Sequence, residues 1–333
     1  MTNELKIGLA TPVDLWSMSI DAKHRMLEDA WAAGVNHIFM ADHVSFRDGS
    51  GTDGFVEIAA LSQLHTEMSV MISIYLLPLR HPLPVARQLA TMHKIASGRM
   101  LFGVGIGGED RHEVEICGVD PRTRGRRTNE CLEIVRRLML GESVDFEGEF
   151  FNLSQARIKP TVGNSIPIIV GGRSNAALVR TARFGDGWIG TWCSVRRYRE
   201  ALALVQQAAS ETGRGKTDWL HGYQPWVGVA DSREEARKLV AEAMEDFYHV
   251  PFEKFERYVP YGTPDDVAND LAPFVDAGCS IMNLKVVAGN DSHSIAATKI
   301  IAQSLRNRYL SAARSNQAIR ADGPTGQDEG LQR

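Results

Sequence analysis

The chain has 333 residues, 44% of them hydrophobic and 23% charged, and its 37 basic and 41 acidic side chains give a formal charge of -4. That near-balance excludes a general electrostatic pull towards nucleic acid or an anionic membrane, and composition near the globular average excludes disordered, collagenous and disulfide-scaffold classes. The length suits either two domains or one long α/β barrel.

In chain order, apolar runs alternate with amphipathic segments. Leu5 to Thr11 reads as a strand, followed by a helix that Ser19 caps and Gly34 stops, with Met26, Leu27, Ala30, Trp31 and Ala33 on one face. Val35 to Ala41 is a second strand, leading into a polar, glycine-rich loop from Asp42 to Gly54. A helix over Phe55 to His65 precedes a third strand, Val70 to Leu77; a helix over Pro82 to Ala96 precedes a fourth, Met100 to Ile106. Glu109 to Arg122 reads as a charged loop and Arg126 to Leu140 as a helix, after which Val144 to Leu153 and Arg157-Ile158 read as inserted short strands. The alternation resumes with strands at Ile166 to Val170, Gly187 to Thr191, Gly222 to Ala230 and Ile281 to Val287. Helices at Ser174 to Phe184, 194–212, 233–248, one opened by the cap Thr263-Pro264-Asp265-Asp266, and His293 to Ala313 fall between and after them.

Eight buried strands separated by helices predict an α/β fold, a (β/α)8 TIM barrel with an insertion after strand 4, over residues 1–313. Residues 314–333 carry few apolar side chains and read as a disordered tail. The cysteines, Cys117, Cys131, Cys193 and Cys279, show no C-x-x-C spacing, so no zinc or redox motif is indicated. The first residues lack the basic and apolar regions of a signal peptide, and no run approaches the roughly 20 apolar residues of a membrane span. The expectation is a soluble cytoplasmic protein without metal.

Barrel chemistry belongs at the C-terminal ends of strands. Asp42-His43, after strand two, suits proton transfer or hydrogen bonding to a ligand, or is a solvated turn residue beside a structural His. Gly103-Val104-Gly105-Ile106-Gly107-Gly108, closing strand four, fits G-x-G-x-x-G but lacks the following helix and distal acid of a dinucleotide fold. Its glycines mean a tight turn, close approach of a ligand, or rim packing. Gly171-Gly172-Arg173-Ser174 opens a helix, either as a phosphate cradle or as an ordinary capped turn. Arg80 and His81, after strand three, read as loop-solvating residues or an anion contact, and His112-Glu113-Val114-Glu115 reads as solvated surface.

Ala41-Asp42-His43, Leu76 to Pro82, Gln88 to Thr91, Ser97 to Met100, Gly103 to Gly108, Gly125-Arg126-Arg127, Pro167 to Gly172 and Gly185-Asp186-Gly187-Trp188 occur in one order. That ordered set resembles the bacterial luciferase-like flavin and deazaflavin oxidoreductases over most of residues 5 to 310. The resemblance implies a cofactor in the barrel mouth, F420 in preference to FMN, with a small-molecule substrate. Ser73-Ile74, in this family often a non-prolyl cis peptide, would support the ring. Gly105, Ile106, Gly107, Gly108, Gly171, Gly172 and Arg173 would hold the side chain and phosphate, and Asp42 the tail or ring edge. His43 would be the catalytic proton donor or acceptor, with Glu109 a second acid/base.

Two departures separate the chain from the sugar-phosphate dehydrogenases of that branch. Arg47 stands where they place Trp, and Gly108 displaces the acid by one position to Glu109, so no sugar phosphate is predicted. Arg47 could instead meet an acidic substrate or the polyglutamate of F420. A homodimer is expected. The functional alternatives are an FMN-dependent monooxygenase fed by a partner reductase and a non-catalytic deazaflavin or flavin carrier. The aromatic segment with Phe247, Tyr248, Phe252, Phe255, Tyr258 and Tyr261 reads as a lid or as a subunit interface. No Schiff-base lysine is visible at the strand ends.

Overall fold

Eight parallel strands close into a ring in the computed structural model, which describes residues 4–321 except Ser97 and Glu109, with backbone alone for 312–321. The first half runs β1 (Lys6–Ala10), α1 (Ile20–Ala32), β2 (His37–Met40), α2 (Gly54–Leu61), β3 (Ser69–Leu76), α3 (Pro82–Ile95) and β4 (Met100–Gly105). The insertion follows as α4 (Arg111–Ile116), α5 (Arg124–Met139) and an antiparallel hairpin of β5 (Val144–Glu147) and β6 (Asn152–Ala156). The second half is β7 (Ile168–Gly171), α6 (Asn175–Phe184), β8 (Gly187–Gly190), α7 (Val195–Glu211), β9 (Gly222–Tyr223), β10 (Trp226–Val229), α8 (Arg233–Tyr248), β11 (Tyr261–Gly262), α9 (Pro264–Asp276), β12 (Ile281–Val287) and α10 (Asp291–Ala321). The ring order is β1-β2-β3-β4-β7-β8-β9-β12, closed by β12 against β1. The fold is therefore the TIM barrel that the alternation predicts.

Local chemistry sets the boundaries. Ser19, Asp53, His81, Ser174, Ser194, Ser232 and Thr263 accept from backbone N–H groups of the helices they open, and Thr263 with Asp266 makes a full capping box. Three expectations change. The charged loop contains α4, opened by Asp110 and turned inward at Glu113 and Val114. Strand seven divides into β9 and β10 at Gln224-Pro225, where proline has no N–H to continue a ladder. β12 serves both pieces, its first half closing the ring against β9 and its second half pairing with β10. Finally, α10 runs through Ala321, so 314–321 of the expected tail are helical; the first helix breakers are Gly323-Pro324. Residues 322–333 lie outside the described residues.

Inside the ring, Phe39, Met71, Leu101, Ile169, Ile189 and Ile281 form one buried layer. Strand side chains alternate faces, so the next inward positions include Ser73, Gly103, Gly171 and Asn283. Large apolar residues thus give way to small or polar ones towards the C-terminal ends, which opens the mouth.

Candidate active site

The floor of the mouth is a buried polar chain. His37 Nε2 donates to Asn283 Oδ1 at 2.7 Å; Asn283 Nδ2 donates to Gln224 Oε1 at 3.0 Å and to Ser73 Oγ at 3.4 Å, and Ser73 Oγ donates to Gln224 Oε1 at 2.6 Å. The proton on His37 is assigned to Nε2 because the Asn283 amide nitrogen donates elsewhere. Burial pushes the His37 pKa down to about 4, with the Asn283 bond opposing that shift, so the ring is neutral at pH 7. A Cβ at Gly8 would collide with this imidazole. The network fixes Ser73, and Ser73 begins the cis Ser73–Ile74 peptide.

Ile74 then fills a hollow between β4 and β7. A Cβ at Gly105 would stand 2.7 Å from Ile74 Cγ2, and one at Gly171 would overlap Ile74 Cδ1. These two glycines therefore make room for the Ile74 side chain. Beyond them, Gly107, Gly108, Gly172 and Arg173 donate no backbone hydrogen bond among the described residues. The two turns lie side by side, because β4 and β7 are paired neighbours. Ile106, half-buried, leads from β4 into the first turn, and the Trp188 indole holds the second by donating to the Gly172 carbonyl at 2.8 Å. Arg173 lies over the Trp192 ring at 5.4 Å.

Asp42 takes a different place from the one expected. It is 0% exposed. Oδ1 accepts from Gly54 N (3.0 Å) and Arg80 Nη2 (2.8 Å), and Oδ2 from Leu76 N (2.9 Å). Burial raises its pKa, while Arg80 and the two backbone donors oppose the rise. With no exposed oxygen for a ligand, Asp42 is a joint between β2, α2 and β3. Arg80 is its partner rather than a solvated loop residue, and also covers the Tyr75 ring at 4.5 Å.

His43, the next residue, is paired with Glu113. Its Nδ1 lies 3.0 Å from Glu113 Oε2, and Oε1 of the same carboxylate accepts from Val44 N at 2.7 Å and Ser45 N at 3.2 Å. The Glu113 side chain is 3% exposed against 17% for His43. This corrects the reading of Glu113 as solvated surface: α4 turns it inward, where a charged group is tolerated because it is fully hydrogen-bonded. Among the described residues His43 Nε2 has no partner. Glu109 lies outside the described residues.

Aromatic rings form a continuous wall that starts at His43. His43 packs on Phe46 (4.2 Å between centroids), Phe46 stacks on Phe247 (5.6 Å), and Phe247 meets Trp226 (5.9 Å). Trp192 meets Tyr248 and Phe255 at 5.1 and 4.8 Å. Phe247, Tyr248 and Phe255 of the aromatic segment thus belong to this wall, whereas Phe252 is buried against Tyr261 and Arg237. Arg47 ties the wall together, its Nη2 donating to the Tyr248 carbonyl at 2.7 Å and its N–H to Asp110 Oδ2 at 2.7 Å.

One group escapes the sequence altogether. Lys285, near the end of β12, holds Nζ over Trp226 at 3.6 Å and over Phe247 at 4.3 Å, and burial brings its pKa down to about 7. Among the described residues no set of His, Cys, Asp and Glu side chains could hold a metal, and no helix is long and apolar enough to cross a membrane.

Comparison with known proteins places this geometry in context. An uncharacterised protein of Mycobacterium tuberculosis is 33% identical over 177 residues, covering 53% of this chain and 61% of that protein's own length. An F420-dependent glucose-6-phosphate dehydrogenase of Kineococcus radiotolerans is 28% identical over 292 residues, covering 80% of this chain and 85% of the relative. Among solved structures, an F420-dependent secondary alcohol dehydrogenase superposes with a TM-score of 0.79 at 17% identity, covering 91% of this chain and 99% of the other, a likeness of fold. With the luciferase-like monooxygenase family model matching residues 6–263, the chain belongs to that family.

Proposed function

We propose that this protein is an F420-dependent oxidoreductase moving hydride between the deazaflavin and a small organic substrate, with His43 handling the accompanying proton. The observation that carries the reading is the His43–Glu113 pair, one residue from the joint that fixes β3 next to Ile74. A carboxylate accepting from Nδ1–H leaves Nε2 as the imidazole's acceptor and stabilises the imidazolium once a proton arrives. His43 Nε2 accordingly takes the proton of a substrate hydroxyl during oxidation and returns it to a carbonyl oxygen during reduction. Glu109 is proposed as the second acid/base.

The residues present fit a deazaflavin. Ile74, seated between Gly105 and Gly171, offers an apolar platform for the ring. The open N–H groups of Gly107, Gly108, Gly172 and Arg173 offer anion-binding donors for the side chain. When bound, a 5-deazaflavin supplies two-electron hydride chemistry and does not activate oxygen. The F420-dependent relatives speak for that choice.

The test is turnover of F420 by native protein and by His43→Ala. Loss of a positioned general base costs about 10²–10⁴-fold, and a variant with full turnover overturns the assignment. The family's own description favours a second reading, a monooxygenase, for which the cofactor would be FMN. That enzyme consumes oxygen with reduced FMN; the reaction proposed here consumes none.

A further inference from the structure

Lys285 stands at an unusual place for an amine. Ile281 and Asn283 of β12 point into the barrel, one in the buried layer and one in the polar floor. Alternation puts Lys285 on the same face, one step nearer the mouth. Its Nζ rests on the faces of Trp226 and Phe247, and no carboxylate or carbonyl of the described residues accepts from it. Of the guanidinium groups at this end of the barrel, Arg47 donates to the Tyr248 carbonyl, Arg80 pairs with Asp42 and Arg173 lies over the Trp192 ring.

An ammonium has three N–H donors. Two aromatic faces return about 2 kcal/mol when desolvated, but they accept no ordinary hydrogen bond, and a half-buried cation without an acceptor is costly. The lowered pKa registers that cost. The rings Lys285 rests on, Trp226 and Phe247, match an apolar body, and an amine with no acceptor among the described residues matches a carboxylate.

We infer that Lys285 anchors the carboxylate of a substrate whose body is aromatic or otherwise apolar, lying along the Phe46–Phe247 wall with its reacting carbon towards His43. This rests on the proposed reading of the mouth as the site of hydride transfer, and adds to it the class of substrate.

The probes are 4-phenylbutyrate and the neutral 4-phenylbutanol, titrated calorimetrically into the full chain without added cofactor, with Trp fluorescence as a second signal. Native protein should bind the acid at least about tenfold more tightly than the alcohol, a difference of about 1.4 kcal/mol. Lys285→Met should abolish that preference while leaving alcohol affinity unchanged; Lys285→Arg should keep most of it. Circular dichroism and melting confirm that each variant is folded. Equal affinities in the native protein, no detectable binding of the acid, or a preference that survives in Lys285→Met overturns the proposal. His43→Ala should lose turnover yet keep the preference for the acid, so failure of hydride transfer and failure of the carboxylate anchor are separate results.

Discussion

The seating of Ile74 yields the sharpest test of the platform. In Gly171→Ala the new methyl overlaps Ile74 Cδ1 and lies 3.3 Å from Cγ1; in Gly105→Ala it lies 2.7 Å from Cγ2. Ile74 is gripped from both sides, so neither methyl is accommodated by a free swing. Overpacking of this kind costs about 1–3 kcal/mol, and an off-rotamer χ accounts for about 0.5–1.5 kcal/mol of it. Each variant should lower the urea midpoint and weaken cofactor binding by about tenfold. Ile74→Val deletes Cδ1 but keeps Cγ2, and alone costs about 0.5–1.5 kcal/mol. Combined with Gly171→Ala it should recover most of the lost stability and affinity; combined with Gly105→Ala it should recover neither. A double-mutant cycle in urea and a cofactor titration measure both couplings. Equal rescue of the two glycine variants, or rescue of neither, refutes the assignment of these glycines to Ile74.

Three further outcomes follow from the same geometry. Glu113→Gln keeps an acceptor for Val44 N but can present an N–H to His43 Nδ1, forcing the proton onto Nε2; turnover should fall about 10²-fold or more with little change in melting temperature, and unchanged turnover would remove Glu113 from the account. Asp42→Asn strips Arg80 of its buried counter-charge and should cost about 3–5 kcal/mol in a urea titration; unchanged stability with weakened cofactor binding would instead make Asp42 a ligand contact. His37 and His221 are buried with pKa values of about 4, so the unfolded chain binds protons that the folded chain refuses between about pH 6.5 and 4. Their stabilisation is complete above that window and is lost as pH falls through it, up to about 3 kcal/mol each, and a urea midpoint that holds flat from pH 7 to 4.5 contradicts this.

The barrel was readable because its strands are continuous apolar runs and its helices carry their own caps; Ile281 to Val287 was predicted residue for residue. The site was readable only in part. The glycines after strands four and five signalled a close approach, but what approaches is Ile74, a residue about 30 to 100 positions earlier in the chain, and no local pattern names it. Helix α4 was hidden because it is short and half charged, with Glu113 buried against His43, Val44 and Ser45, about 70 residues away. Lys285 passed as a strand residue because its surroundings come from Trp226 and Phe247 on two other elements. Asp42 and His43, adjacent in sequence and read together, take different partners. Asp42 joins β2, α2 and β3, while His43 pairs with Glu113 and packs on Phe46.

The central claim is that this mouth is built for a deazaflavin, and one titration addresses it directly. Purified protein titrated separately with F420 and with FMN, each followed by its own spectrum, should bind F420 at least about tenfold more tightly. Tighter binding of FMN would contradict the account.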